Sequence, residues 1–240
     1  MSLEDQLESK GFCILENVFT DNQVNEMKEK FIKCEDEVHR ICKENQPDPY
    51  DFVQLHEKEI IIKMQSYCQE SIIETAKGRY DVRIQMAKDE FKDVPEHPVI
   101  ANLMKTCLKE RYLCDIGLLV TGTHANDGPW HRDTYNLNGP SESDGSYDDS
   151  LVMKLQPFYF TCLIPLDDIT EANGRTEFLV GSHHQTYHEA KDNQRVKHDV
   201  KAGSMVVFDG RIMHRACAHP SDHPRQMIYL VFHRDWYVDV

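Results

Sequence analysis

The chain has 240 residues, a length that suits one domain with a sizeable hydrophobic core. Hydrophobic residues make up 40% of it and charged residues 28%, which is typical of a soluble globular protein and not of a disordered one. The formal net charge of −14 disfavours nucleic acid and anionic membranes as partners, and no apolar run is long enough to span a bilayer. We therefore expect a small-molecule partner; the sequence carries no signal for the oligomeric state.

The eight cysteines are scattered and form no Cys-x-x-Cys pair. A chain of this length does not need disulfides for stability, and the spacing of the cysteines is not that of a zinc finger. The N-terminus shows no basic stretch followed by an apolar one, so no signal peptide is recognisable. These features predict reduced thiols and a cytoplasmic protein.

The first half of the chain reads as mainly helical. A short strand-like stretch at residues 11–18 precedes Thr20, which with Gln23 forms a capping-box pattern. Apolar residues then recur every three or four positions and predict a helix that ends near Glu44. The sequence QPDPYD at residues 46–51 breaks this pattern. Further helical regions are predicted at residues 59–77 and 97–111.

The second half reads as short strands rich in Val, Ile, Phe and Tyr and separated by turn residues. The predicted strands lie at residues 113–121, 158–166, 175–180, 204–208 and 226–233. A helical layer over residues 1–111 followed by such strands over 112–240 predicts a single domain of the α+β, mainly β class, with a jelly-roll or cupin-like barrel. The polar, acidic stretch at residues 136–150 is predicted to be a long loop, either a functional lid or a disordered insertion.

A His-x-Asp pair, His131 and Asp133, is the first candidate for metal binding. Residues two apart in a strand point to the same side, so one imidazole and one carboxylate can reach the same ion. Non-haem iron(II) oxygenases use two histidines and one carboxylate on one face of the metal and leave the other positions open. His214, at the end of the strand-and-turn pattern GSMVVFDGRIMH, is the predicted second histidine.

A second His-x-Asp pair, His233 and Asp235, shows that such a pair alone is weak evidence. No histidine follows it to complete a set of three ligands, so we do not predict a metal site there. Its spelling, His-Arg-Asp, also occurs in protein kinases, but the chain has no glycine-rich loop and no Asp-Phe-Gly segment. We expect these two residues to lie at a strand end.

Arg225 adds support for a metal site at His131 and Asp133. It lies eleven positions after His214, at the start of the apolar run RQMIYLVF. A guanidinium at this position can hold a carboxylate through two parallel hydrogen bonds. The distal carboxylate of 2-oxoglutarate needs such a partner when the 2-oxo acid end of the molecule chelates iron.

With these motifs in hand, the sequence resembles the phytanoyl-CoA dioxygenase (PhyH-like) family of iron(II)- and 2-oxoglutarate-dependent oxygenases. The resemblance runs through most of the chain and keeps its order and spacing. The matching segments are GFCILENVFTDNQVNEMKEKF, GPWHRDTY, LDDITEANGRTEFLVGSHH, KAGSMVVFDGRIMHRA and PRQMIYLVF.

The resemblance implies a double-stranded β-helix with flanking N-terminal helices, and Fe(II), 2-oxoglutarate and O2 as cofactors and co-substrates. It implies that His131, Asp133 and His214 bind the metal and that Arg225, helped by Thr176, binds the co-substrate. Four residues are then expected to face the substrate: Trp130, Arg132, Tyr135 and Arg175. Ala216 stands where some members carry a hydroxyl that helps hold the co-substrate. Arg175 stands where an apolar or small residue is common in the family, and the loop at residues 136–150 is long, so the acyl-CoA substrate is not carried over.

The predicted reaction is activation of a C–H bond, by hydroxylation or by desaturation or ring closure. The acidic composition favours a small polar metabolite or a natural-product intermediate as substrate. Two alternatives stay open at this point. One is a cupin-type metalloenzyme that does not use 2-oxoglutarate and has no need of Arg225. The other is a non-catalytic metal-binding or interaction protein on the same scaffold.

Overall fold

The computed structural model describes residues 1–45, 61–63, 71–109, 111–134 and 152–237. The α-helices of these residues are α1 (Leu3–Lys10), α2 (Asp21–Asn45), α3 (Gln85–Glu90), α4 (Pro98–Leu108) and α5 (Tyr187–Ala190). The strands are β1 (Phe12–Leu15), β2 (Ile61–Lys63), β3 (Ser71–Ala76), β4 (Arg79–Arg83), β5 (Tyr112–Thr121), β6 (Tyr159–Pro165), β7 (Thr176–Leu179), β8 (Arg195–Lys197), β9 (Met205–Asp209), β10 (His214–Ala216) and β11 (Arg225–Arg234).

The strands form two antiparallel sheets. The large sheet has the strand order β1-β9-β6-β11-β5-β4-β3-β2, and the small sheet has the order β10-β7-β8. An isolated bridge between His131 and His214 adds a fourth, very short member to the small sheet, beside β10. Two such sheets around one core make the predicted jelly roll, and the large sheet draws strands from both halves of the chain.

The large sheet packs against a hydrophobic core on each of its two faces. Along β11, Ile228, Leu230 and Phe232 belong to a core shared with helices α1 to α4. The residues between them, Met227 and Val231 among others, point the other way into a second core, between the two sheets. This inner face of the large sheet is the one that faces the metal-binding residues described below.

Helix α2 forms as its sequence predicts. The Thr20 backbone N–H donates to Gln23 Oε1 at 2.9 Å, and the Gln23 N–H donates to Thr20 Oγ1 at 3.4 Å, so the capping box is present. The apolar stripe of the helix packs on the large sheet with Phe31 and Cys34 fully buried. The helix predicted at residues 97–111 is also confirmed, as α4.

The helix predicted at residues 59–77 is wrong in its described part, which consists of β2 and β3. β3 pairs with β4 and β4 pairs with β5, so this segment extends the large sheet. The run SIIETA has two adjacent isoleucines and a threonine, and pairing across a sheet overrides the helical spacing that the sequence also carries. The predicted break at residues 46–51 and the predicted loop at 136–150 lie outside the described residues.

The fold class is thus confirmed as mainly β, a jelly roll with N-terminal helices. In the part of the chain that the structure describes, every helix is too short or too polar to cross a membrane.

Candidate metal centre

The three predicted metal ligands are brought together by backbone pairing. The His131 N–H donates to the His214 carbonyl and the His214 N–H donates to the His131 carbonyl, both at 3.0 Å. This pair places the two imidazoles side by side, with ring centroids 4.2 Å apart. The Asp133 N–H donates to the Gly210 carbonyl at 2.8 Å, which fixes the carboxylate at the turn before β10.

One atom of each ligand faces a common point. Asp133 Oδ1 lies 3.7 Å from His131 Nε2 and 3.5 Å from His214 Nε2. The three ligand atoms all lie within 4.8 Å of one another, and they form the only such group of histidine, cysteine and acidic residues among the described residues. Two imidazole nitrogens and one carboxylate oxygen in this arrangement suit a divalent first-row metal, iron(II) in particular.

The outer nitrogens of both rings are held by the backbone, which leaves the inner nitrogens for a metal. His131 Nδ1 lies 3.0 Å from the Pro129 carbonyl, and His214 Nδ1 lies 3.1 Å from the Ile212 carbonyl. Burial, and then the charge of His131, lower the pKa of His214 to about 4. His214 is therefore neutral at neutral pH, which is the form that binds a metal.

The three ligands of the centre differ in their exposure to solvent. The His214 side chain is 8% exposed, whereas that of His131 is 40% exposed. Asp133 lies between them at 19%, with its second oxygen, Oδ2, accepting a hydrogen bond from the buried Thr161 hydroxyl on β6. Small molecules thus have access to an ion at this site from the His131 side.

A row of three residues across the large sheet forms a second feature of the site. Thr121 on β5 is the direct partner of Arg225 on β11 and of Arg79 on β4, so the three side chains share the inner face. Arg225 Nη2 donates to Thr121 Oγ1 at 3.1 Å, and Arg79 Nη1 donates to the same oxygen at 3.4 Å. Two guanidinium groups are thus held next to each other.

Both guanidiniums are buried and lack an ion-pair partner among the described residues. Arg225 is 3% exposed and Arg79 6%, and their other hydrogen bonds go to backbone carbonyls, including those of Gly174 and Cys217. Burial, and then the charge of Arg79, lower the pKa of Arg225 to about 10. The buried Arg225 Nε has no hydrogen-bond partner in the described structure. A bound carboxylate would pair with the charges, raise the pKa of Arg225 and accept a hydrogen bond from its Nε.

The residues expected around the co-substrate and substrate have different surroundings. Thr176 pairs with Ala216 at the start of β7, on the same face of the strand as the buried Phe178. Arg132 is 5% exposed and donates to the backbone carbonyls of Ser182, Gln185 and Arg211. These contacts give Arg132 the role of joining three backbone segments.

Trp130 and Arg175 are engaged in other contacts. The Trp130 ring lies between two cations, with Arg195 Cζ 5.5 Å and Arg215 Cζ 5.0 Å from its centroid. Arg175 pairs with Asp199 at 2.6 Å on the surface. Tyr135 lies outside the described residues.

The competing His-x-Asp pair takes no part in the site. His233 Nε2 lies 3.3 Å from an Asp115 carboxylate oxygen, and Asp235 pairs with Arg111 at 2.7 Å. His233, next to the last residue of β11, and Asp235, just after β11, thus contact β5 and the residue that precedes it.

Three residues of the site were missed by the sequence reasoning: Arg79, Thr121 and Thr161. Thr161 had a signal, since it is a hydroxyl in the apolar run YFTCLIP. Arg79 and Thr121 had none, because their relation to Arg225 depends on the register of three strands that are far apart in the chain.

Solved structures share this architecture. The 2-oxoglutarate-dependent epimerase SnoN from nogalamycin biosynthesis superimposes with a TM-score of 0.64 and 16% identity over 97% of this chain and 81% of its own. AviO1 from Streptomyces viridochromogenes gives 0.63 and 17% over 99% and 96%. EvdO2 from Micromonospora carbonacea, solved with 2-oxoglutarate, gives 0.57 and 16% over 96% and 89%.

The family model for phytanoyl-CoA dioxygenase (PhyH) matches residues 7–227, which span all three metal ligands and Arg225. The match and the geometry of the site agree with the resemblance seen in the sequence motifs. The chain belongs to the phytanoyl-CoA dioxygenase family and is an iron(II)- and 2-oxoglutarate-dependent oxygenase.

Proposed function

We propose that this oxygenase activates a C–H bond of a small polar metabolite or natural-product intermediate, by hydroxylation or by desaturation or ring closure. The observation that carries the proposal is the convergence of His131, Asp133 and His214, whose ligand atoms lie within 4.8 Å of one another. When bound, iron(II) with O2 and 2-oxoglutarate supplies the oxidant, and succinate and CO2 are the co-products. The protein holds these groups and selects the C–H bond.

The proposed roles of the residues follow from their contacts. His131, Asp133 and His214 hold the metal through the atoms that face one another. Arg225, with Arg79 and Thr121 beside it, binds the distal carboxylate of 2-oxoglutarate. Thr176 is proposed to contribute from β7, at the edge of this anion pocket. The proposed substrate contacts are Trp130, Arg132, Tyr135 and Arg175.

The substrate class is supported by charge and by the solved neighbours. A net charge of −14 disfavours the highly anionic coenzyme A portion of an acyl-CoA. The epimerase SnoN was solved with Fe3+, 2-oxoglutarate and a nogalamycin compound, and a related non-haem monooxygenase, ThoJ, was solved with nickel. The link of SnoN to nogalamycin biosynthesis supports a natural-product intermediate as the candidate substrate here.

We further propose that residues 1–240 act as one cytoplasmic domain. Strands from both the first and the second half of the chain pair in the same large sheet, which supports a single unit. The six cysteines whose side chains the structure describes are all free, in keeping with a reducing compartment.

The alternative of a metalloenzyme without 2-oxoglutarate is disfavoured by the anion pocket. Two buried guanidiniums that share one threonine are costly to maintain without an anion. A cupin-type isomerase or a purely metal-binding protein has no use for such a pair. The pocket therefore favours the use of 2-oxoglutarate over both alternatives.

The test is conversion of 2-oxoglutarate to succinate by the purified protein, with and without Fe(II), before any substrate is known. We expect slow iron-dependent turnover, and a faster rate when a true substrate is added from a panel of polar metabolites and natural-product intermediates. Soaking crystals with Fe(II), 2-oxoglutarate and the best compounds would then show which group lies beside the metal. If iron binds but 2-oxoglutarate is neither bound nor consumed, the cupin alternative holds.

A further inference from the structure

Thr161 is an unusual residue for its position. It lies in the middle of β6, a strand that is buried along its whole length, and is itself 5% exposed. Its neighbours on the same face of the strand, Tyr159 and Leu163, pack in the core between the two sheets. A hydroxyl in such a place costs free energy unless it is hydrogen-bonded, and a valine would fill the same volume without that cost.

The hydrogen-bond acceptor of the Thr161 hydroxyl is the carboxylate of Asp133, one of the three predicted metal ligands. Thr161 Oγ1 donates a hydrogen bond to Asp133 Oδ2. The direction is fixed, because an ionised carboxylate only accepts. The other oxygen, Oδ1, is the one that lies 3.7 Å from His131 Nε2 and 3.5 Å from His214 Nε2. The two oxygens of one carboxylate are therefore assigned to different partners.

We infer that Thr161 is a positioning residue of the metal centre. By holding Oδ2, it turns Asp133 so that a single oxygen is presented to the ion with the two imidazoles. Three protein ligand atoms then leave room on the metal for the 2-oxo acid group and for O2. Without the hydroxyl, Oδ2 is free to turn toward the ion and occupy one of those positions. This inference rests on the proposed use of iron at this site.

The same contact also bears on metal affinity. Groups that orient a metal ligand are typically worth about 10- to 100-fold in metal affinity or activity. Thr161 acts from the large sheet, whereas both histidines are tied to the small sheet. The hydrogen bond thus links the metal-binding edge of the small sheet to the inner face of the large one.

The experiment compares Thr161→Val, which keeps the shape and removes the donor, with Thr161→Ser, which keeps the donor. Co(II) replaces iron as the probe, because its visible absorption reports coordination number without O2 or turnover. For Thr161→Val we expect about a tenfold or greater loss of Co(II) affinity and a changed visible spectrum. Thr161→Ser should restore both. Thr106→Val, which removes an exposed hydroxyl on α4 away from the site, should bind Co(II) as the wild type does.

Thermal unfolding of the metal-free and Co(II)-loaded proteins separates positioning from folding. A positioning role predicts that Thr161→Val reduces the stabilisation by Co(II) more than it changes the metal-free protein; Thr161→Ala offers a second donor-free variant should the valine disturb packing. An unchanged affinity and spectrum in the donor-free variants would overturn the inference. Failure of the proposed function looks different, since wild-type Co(II) binding would then be absent or insensitive to His131→Ala.

Discussion

His131 and His214 exchange both of their backbone hydrogen bonds, at 3.0 Å in each direction. Two metal ligands are thereby tied to each other directly, before any metal is bound. Asp133 follows His131 by two residues, so the same short segment carries the third ligand. The relative positions of the ligand atoms are consequently set by main-chain pairing and not by side-chain packing alone.

Removal of any one of these ligands should abolish iron binding and turnover. His131→Ala, Asp133→Ala and His214→Ala each leave only two protein ligands, fewer than this type of site needs. We expect less than one tenth of the wild-type iron content after dialysis, measured by elemental analysis. His233→Ala, which alters the competing His-x-Asp pair, should keep its iron. Loss of iron from His233→Ala together with its retention in His131→Ala would show that the wrong pair was assigned.

Arg225→Ala should raise the Michaelis constant for 2-oxoglutarate by more than tenfold with little change in iron binding. Loss of a buried, hydrogen-bonded charged partner typically costs about 2–5 kcal/mol. Arg225→Lys should recover part of the loss, because an ammonium does not reproduce the planar two-point contact. Steady-state succinate formation measures the effect. Arg111→Ala, which removes an 82%-exposed arginine, serves as the control. Wild-type behaviour of Arg225→Ala at low 2-oxoglutarate would remove the main argument for this co-substrate.

Arg79→Met should weaken 2-oxoglutarate binding as well. Arg79 shares Thr121 Oγ1 with Arg225, so its charge acts on the same anion. We expect a smaller rise in the dissociation constant than for Arg225→Ala, measured by calorimetry with Co(II) in the site. The double variant should lose less than the sum of the two single changes in binding free energy, because the residues contact each other's partner. If the losses in binding free energy of the two single variants add exactly in the double variant, Arg79 does not act on the same carboxylate as Arg225.

His183 should make the metal-free protein less stable in acid. Burial lowers its pKa from 6.5 to about 4. The charge of Asp209 has a smaller effect that raises this pKa, and the charge of His184 a smaller effect that lowers it. The neutral ring is favoured in the folded state, so the contribution is present in full above pH 6.5. It is lost as the pH falls from 6.5 to 4, and amounts to about 3 kcal/mol at most. His214 adds a loss in the same direction, so the informative quantity is a difference between variants.

Urea unfolding of the metal-free protein between pH 4.5 and 7.5 measures this difference. The free energy of unfolding of His183→Gln should fall less steeply toward acid than that of the wild type. Parallel curves for the wild type and His183→Gln would contradict the assignment.

Gly117→Ala should destabilise the protein by about 1–3 kcal/mol, the usual cost of overpacking. A Cβ at this position on β5 would collide with the Tyr229 ring, which crosses over Gly117 to donate its hydroxyl to Asp81 at 2.6 Å. Gly122→Ala is the matched control, because the nearest atom to its added Cβ is 3.4 Å away. Thermal unfolding compares the two. Equal melting temperatures would mean that the Tyr229 ring moves aside freely.

Local patterns predicted the metal ligands because the chemistry and the geometry both lie within a few residues. The step of two between His131 and Asp133 is the repeat of a strand, and His214 ends a run that reads as a strand and turn. The α2 helix was predicted for the same reason, since its cap and apolar stripe are both local.

The anion pocket was only partly predictable because it depends on register. Arg225 was found from its distance to His214, but its neighbour Arg79 reaches it through two strand pairings that the sequence does not specify. The helix predicted at residues 59–77 was wrong for the same reason. The strands found there are stabilised by pairing with β4 and the rest of the large sheet, which local sequence does not specify. The expected substrate contacts of Trp130 and Arg132 stay predictions.

Because His131 and His214 are paired only in the folded chain, a metal bound to both residues stabilises the fold. The two residues are far apart in sequence, so bringing them together closes a long loop at a cost in chain entropy. An ion that binds only the folded protein, in which the two histidines are paired, raises the free energy of unfolding. At saturating metal, this increase grows with the logarithm of the ratio of the metal concentration to its dissociation constant. In a cell short of iron, this protein would accordingly lose lifetime as well as activity, and its abundance would follow the supply of its own metal.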